Sequence, residues 1–272
     1  MADPMTVPGW RDLRGSAALL EDDAVLVLDK PAGISVTGER HGTDLVELAG
    51  QAGERLFPAH RVDKVTSGVV LFAKDLATHG GLTRQFNKRT VDKAYLVVTG
   101  TTGLPERGTI ELPLSVGRKN RVRIAAARED IRADEEEGRW WVEEDDLLDV
   151  KNYPSATRFR TLWSDGTYSV LLALPVTGRR HQIRVHLAWI GHPIWGDPLF
   201  DKGAAAAGLR THLHAWRLAF DASWLDGGRV EAVADPDDGF WRPLAGSLPP
   251  DAVARLLREG AEAAGKASRP SS

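Results

Sequence analysis

The stretch Gly68-Val69-Val70-Leu71-Phe72-Ala73-Lys74 constrains the fold more than any other feature of the chain. Its apolar residues run without alternation, β-branched and aromatic side chains lead, and a glycine bounds it, a pattern that reads as a buried strand. Other runs predict strands at Ala24–Asp29, Val91–Thr99, Arg121–Ala126, Thr157–Trp163, Tyr168–Leu174, Leu213–Phe220 and Arg229–Ala234. The first of these ends in Lys30-Pro31-Ala32-Gly33, a turn signal. Helical signals are fewer. Thr43 is placed to cap a short helix through Ala49, and Asp75 to cap one running to about Lys88 despite Gly80-Gly81. His181–Ile190 carries apolar residues at 183, 187 and 190, and Asp251–Glu262 reads as an amphipathic closing helix. Strands outnumber helices and do not alternate with them, which predicts an α+β fold with a largely antiparallel sheet.

Within 272 residues, 42% of them apolar, there is enough material for one sizeable core. Residues 1–20 read as a loose lead-in, 21–262 as a single domain, and 263–272 as a disordered tail. The absence of cysteine excludes a disulfide framework and thiolate zinc, and fits a reducing, cytoplasmic setting. Neither a signal peptide nor a membrane span is expected.

The net charge of −3 argues at first sight against a nucleic-acid partner, since phosphate contacts need Lys and Arg. The charge is unevenly spread, however. Residues 129–149 hold eleven acids against Arg132 and Arg139, so this window carries −9 and the rest of the chain +6. A mildly basic body with an acidic insertion is compatible with RNA. The insertion itself reads as a solvated surface excursion, with Trp140-Trp141 as its anchor.

Several chemistries have no support. There is no Gly-rich phosphate loop, so no nucleotide cofactor is implied, and no G-x-S-x-G elbow, so Ser67 near His60 and Asp63 gives little hydrolase signal. The pairs His181/His186 and His212/His214 lack the company of cysteines or an H-E-x-x-H helix, and no metal site is expected. Three blocks remain. In His60-Arg61-Val62-Asp63-Lys64-Val65-Thr66-Ser67-Gly68, an aspartate between two cations stands just before the buried strand, where a loop presents side chains on a rigid scaffold. Neighbouring cations favour the ionised carboxylate. Read alone, the block is more readily an ion-paired turn of purely structural role. Lys93-Ala94-Tyr95 opens a strand, and a single strand tyrosine is ordinarily core. In Thr177-Gly178-Arg179-Arg180-His181-Gln182-Ile183-Arg184-Val185-His186-Leu187, cations crowd the start of a helix against its dipole, which suggests a demand for anion contact.

Together these blocks resemble the RluA family of pseudouridine synthases. Leu28-Asp29-Lys30-Pro31-Ala32-Gly33, Ile190-Gly191-His192-Pro193-Ile194-Trp195-Gly196-Asp197 and Leu213-His214-Ala215 complete the set in that family's order, from about Asp22 to Phe220. The resemblance implies a pseudouridine synthase fold, a central, mostly antiparallel mixed sheet flanked by helices and loops. It also implies isomerisation of uridine in ribosomal or transfer RNA, with no cofactor and in a monomer. By the same resemblance Asp63 is the catalytic carboxylate, acting either on the sugar carbon or on a neighbouring sugar proton. Arg184 pairs with it and keeps it ionised, and Tyr95 stacks on the uracil. Arg61 fills the gap left by the flipped base, Leu213 packs beside the ring, and His60, Lys93, Arg179, His181 and Gln182 contact RNA.

Three departures bear on substrate choice. Val65 replaces a frequent acid, Tyr153-Pro154-Ser155-Ala156-Thr157 replaces a stretch that usually holds lysine, and no His-Pro pair follows Phe220. The residues before the first block are too few for the RNA-binding domain that many members carry. Recognition is therefore expected from the catalytic domain, through Arg84, Lys88, Arg89 and the Arg118–Arg123 cluster. An RNA-binding protein without turnover, and an enzyme on free nucleotides, are the competing readings.

Overall fold

A computed structural model describes residues 9–38, 44–225 and 228–267. The elements run α1 (Trp10–Ala17), β1 (Ala18–Glu21), β2 (Val25–Lys30), α2 (Leu45–Gln51), β3 (Phe57–Pro58), β4 (Ser67–Ala73), α3 (Leu76–Lys88), β5 (Asp92–Thr99), β6 (Arg107–Glu111), β7 (Leu114–Val116) and β8 (Val122–Ile124). They continue with β9 (Arg132–Asp134), β10 (Arg139–Trp141), β11 (Asn152–Tyr153), β12 (Thr157–Ser164), β13 (Ser169–Pro175), α4 (Gln182–Trp189), α5 (Lys202–Ala206), β14 (Leu213–Asp221), β15 (Arg229–Val233), α6 (Asp238–Trp241) and α7 (Pro250–Ala267). The α+β class is as expected. Where the sequence reads as one domain, the chain divides into two compact units: residues 1–93 with 215–235, and residues 94–214 with 236–272.

In the first unit the strand order is β1-β2-β4-β14, with β15 on β14 and β3 on β4. β2 and β4 are antiparallel, Val25 facing Ala73 and Lys30 facing Gly68. Every residue of β4 is buried, and the alternation of a strand explains how. Val69, Leu71 and Ala73 enter a cluster with Val25, Val27, Leu82 and Phe220. Val70 and Phe72 enter another with Leu26, Leu28, Leu45, Trp10 and Leu13. The unbroken apolar run is thus the signature of a strand covered on both faces. Asp75 caps α3 as expected, its carboxylate accepting from the Thr78 amide. Thr43 lies outside the described residues, and the side chain that caps α2 is Asp44, accepting from Glu47 N–H.

In the second unit the order is β5-β13-β12-β6-β10-β9, beside a smaller sheet β11-β7-β8. All ladders here are antiparallel except β6 with β10, which is what makes the sheet mixed. Its core gathers Val97, Ile110, Leu112, Phe159, Leu171, Ile183, Val185 and Leu187.

Four expectations need correction. Residues 10–20 are not loose, because Trp10 and Leu13 are buried and the segment forms α1 and β1. The acidic window is not merely a surface excursion. Its β9–β10 hairpin extends the sheet, with Trp140 buried 5.8 Å from the Phe159 ring, so the anchoring role expected of the tryptophan pair falls chiefly to Trp140. α4 is buried from Gln182 to Ala188 and so lacks the polar face that a surface helix shows. Finally, α7 runs through Ala267 because the Ala-rich stretch beyond Glu262 favours helix and Ala264 is buried. Residues 268–272 lie outside the described residues.

Candidate functional site

The loop that carries Asp63 is tied down from several sides in the first unit. Ala59 N–H donates to Leu71 O at 3.0 Å, and Thr66 N–H closes a turn onto Asp63 O at 3.0 Å. The neighbouring loop is stapled on by Gly33 N–H to Lys64 O at 2.8 Å. Lys30, completely buried, donates from Nζ to Pro31 O and Ile34 O at 2.8 Å and to Lys64 O at 3.4 Å. Three carbonyls around one ammonium are a means of holding a buried charge, and they tie two loops together beneath the aspartate. This accounts for the Leu28–Gly33 block, whose lysine was not among the predicted site residues. A lysine at the end of a strand whose first four residues are apolar is the signal that marks it.

Asp63 itself is half-buried, Arg61 and Lys64 are exposed, and Thr66 and Ser67 are buried. Gly68 has φ +105°, and a Cβ on it would stand 2.1 Å from Ala215 O, so β14 approaches where only glycine fits. His60 has a structural duty besides its predicted RNA contact. Its Nε2 accepts from Leu71 N–H at 3.1 Å, which places the ring proton on Nδ1, and the ring stacks on Phe86 at 4.9 Å. Burial, reinforced by the Lys93 ammonium, pushes its pKa down to about 3, so it stays neutral. Burial and then the Arg89 charge push Lys93 down to about 8. Arg84, Lys88 and Arg89 are exposed on the last turns of α3 and its cap.

The second unit holds Tyr95, Arg179, His181, Gln182, Arg184 and Leu213. Arg184, on α4, is buried and gripped by Asp197, Nε to Oδ2 at 2.7 Å and Nη2 to Oδ1 at 2.8 Å. Asp197 is fully buried and also accepts Leu199 N–H at 2.8 Å. It too went unpredicted, although it ends one of the blocks. Gly196 before it has φ +74° and passes so close to Arg210 O that a Cβ would stand 2.1 Å away.

Gln182 requires a correction. It is buried with all four hydrogen-bonding positions used: Oε1 accepts from Thr177 Oγ1 at 2.6 Å and Arg179 N–H at 3.0 Å, and Nε2 donates to Ala156 O and Thr157 Oγ1, both at 2.9 Å. No capacity is left for RNA, so the residue braces the loop before α4. Thr157 in turn bonds His186 Nδ1 at 3.0 Å, while His186 Nε2 stands 3.0 Å from Leu112 O. A carbonyl only accepts, so Nε2 carries the proton, and burial lowers this ring's pKa to about 4.

His181 adopts a left-handed conformation at φ 56° as the cap of α4, which sets Arg179 and Arg180 ahead of the helix rather than on it. Arg179 is exposed, its guanidinium 5.5 Å from the Tyr153 ring centre. Tyr95 is half-buried against the core, and Leu213 lies within it. Among the described residues no three His, Asp or Glu side chains are grouped to hold a metal, and no helix is long and apolar enough to cross a membrane.

The family model described as RNA pseudouridylate synthase matches residues 24–189. The dual-specificity RNA pseudouridine synthase RluA of Vibrio vulnificus is 33% identical over 235 residues, covering 82% of this chain and 83% of that one. Ribosomal large subunit pseudouridine synthase D of Nitrosomonas europaea is 34% identical over 217 residues, 74% of this chain, which spans only 56% of that longer protein. The solved structure of human RNA pseudouridylate synthase domain containing 4 superposes with a TM-score of 0.69 at 24% identity, over 86% of this chain and 94% of the other, a likeness of fold.

Proposed function

Because this chain belongs to the RNA pseudouridylate synthase family, in its RluA branch, we propose that it isomerises uridine to pseudouridine in structured ribosomal or transfer RNA. The observation that carries this reading is Asp63 on a loop fixed by Lys30, Gly33 and Thr66, within a segment that the family model matches.

The reaction breaks the bond from ribose C1′ to uracil N1, turns the base and joins its C5 to the same C1′. The C5 proton goes to solvent, N1 takes up a proton in its place, and neither redox equivalents nor energy input is required. A carboxylate serves either as a nucleophile at C1′, as in retaining glycosidases, or as the base for the neighbouring sugar proton. We assign that carboxylate to Asp63, with Arg184 the cation that favours its ionised form and Tyr95 the ring that stacks on the uracil. Arg61, exposed on the Asp63 loop, fills the space vacated by the flipped base, and Leu213 packs beside the ring. Lys93, Arg179 and His181 contact RNA in this reading, and the protein acts as a cytoplasmic monomer without cofactor.

Tritium release from RNA labelled at uridine C5 tests the assignment. The wild type should release tritium and Asp63→Ala should not; comparable release by both would remove Asp63 from its role.

A further inference from the structure

The strands β7 and β8 form a hairpin whose tip is built to hold its shape. Lys119 and Asn120 both adopt left-handed conformations, at φ 55° and 59°, within the tight three-residue turn Arg118–Asn120 that joins the strands. Gly117 N–H closes it onto Arg121 O at 2.7 Å, and the Arg180 guanidinium donates to Asn120 O, pinning the tip to the loop before α4. On the outer side β7 pairs with β11, where Lys151 and Arg179 each stand 5.5 Å from the Tyr153 ring centre.

Around this tip lies an open concavity of about 660 Å³ lined by Gly117, Arg118, Lys119, Arg121 and Arg123. Its four cations are exposed, and among the described residues none of them has an acidic partner. Several other surface arginines, Arg132, Arg139, Arg160, Arg217 and Arg229, are each paired with carboxylates. In a chain of net charge −3, four cations within Arg118–Arg123 without acidic partners repel one another, and an anionic partner would relieve that repulsion.

We propose that the hairpin Leu114–Ile124 is a preformed cradle for the RNA sugar–phosphate backbone, an inference that rests on the RNA substrate argued above. Its form favours a polyanion over a single bound ion. No charged side chain in it is buried, as a small-anion site would require. Arg121 and Arg123, two residues apart, share a strand face at a spacing of about 6.7 Å, suited to successive charges along a backbone. Arginine also offers the paired donors that match phosphate oxygens. Arg180, committed to the Asn120 carbonyl, is the brace of the cradle.

The test compares the full-length wild type with Arg118→Ala/Arg121→Ala/Arg123→Ala, measuring binding to a transcribed large-subunit ribosomal RNA fragment across a potassium chloride series. Each lost phosphate contact lowers the slope of log affinity against log salt by about 0.7 for single-stranded RNA, so the triple variant should lose about 2. Affinity at 0.15 M salt should fall at least tenfold, and the KM for tritium release should rise in step, with a much smaller change in kcat. An unchanged salt slope and KM would overturn the proposal. The corresponding triple lysine variant should keep the slope; if it does not, the single changes Arg118→Gln and Arg121→Gln, each expected to remove about 0.7, carry the measurement. Wild-type protein that binds RNA with the full slope yet releases no tritium would refute the isomerase reading and leave the cradle standing. Tritium release unaffected by the triple variant would do the reverse.

Discussion

Replacing Asp197 by alanine should destabilise the protein strongly, and the size of the effect follows from the geometry around Arg184. The two side chains are 4% and 0% exposed, and two N–H groups of the guanidinium are held at 2.7 and 2.8 Å. Asp197→Ala leaves a buried guanidinium without that carboxylate and orphans the Leu199 amide, a loss of about 3–5 kcal/mol. For a chain of this size each kcal/mol moves Tm by roughly 2–4 °C, so a fall of about 6–20 °C is expected in differential scanning calorimetry. The double variant Arg184→Met/Asp197→Leu removes both charges and should recover most of the loss, because an apolar pair of similar volume stands in for a buried ion pair at little cost. It should still be inactive, since Arg184 is gone. A fall of less than about 2 °C in Asp197→Ala, or a double variant no more stable than the single, would refute the view that this pair is held by mutual need.

Two further outcomes follow from the packing and the buried histidines. Gly68→Ala should unfold or fail to accumulate, losing about 3–5 kcal/mol, because a Cβ 2.1 Å from Ala215 O overlaps backbone and the left-handed conformation adds strain; wild-type Tm in the purified variant would contradict this. Acid should also unfold the chain early. His60, His186 and His212 have pKa values lowered from 6.5 to about 3, 4 and 4, so the unfolded chain binds their protons first. Their contribution to stability is complete above pH 6.5 and declines as pH falls toward 4. Unfolding measured by urea at pH 5 should take up about three protons from this source, against almost none at pH 7.5. A flat stability between those values would show that the rings are already charged in the folded state.

The strands were legible where apolar runs were long. β4 declared itself because its odd and even residues feed two different clusters, leaving no polar position in the run. The β9–β10 hairpin was illegible for the opposite reason. Its strands are three residues long, its acids outnumber its apolar residues, and its parallel pairing with β6 is set by contacts distant in sequence. Only Trp140 marked the attachment. At the proposed site, the family resemblance singled out Asp63, Tyr95 and Arg184, but a motif says little about which of its residues meet solvent. Gln182 looked like a contact residue and is a saturated brace, whereas Lys30 and Asp197 looked incidental and hold neighbouring site elements in place. Charge in a motif signals a partner, and the partner is as often internal as external.

The close passage of Ala215 over Gly68 also sets an order for the birth of the molecule. A ribosome releases β2 and β4 long before the segment from Ala215 to Asp235 that completes their unit, and all of 94–214 is made in between. At about 5–20 residues per second the roughly 140 residues from Ala73 to Ala215 take about 7–28 s. For that time β4, apolar beyond Ser67, waits with the edge destined for β14 unpaired, a surface that invites holding chaperones or aggregation. Truncations ending before Ala215 should therefore behave as client polypeptides, and the first unit matures only once residues 215–235 have emerged.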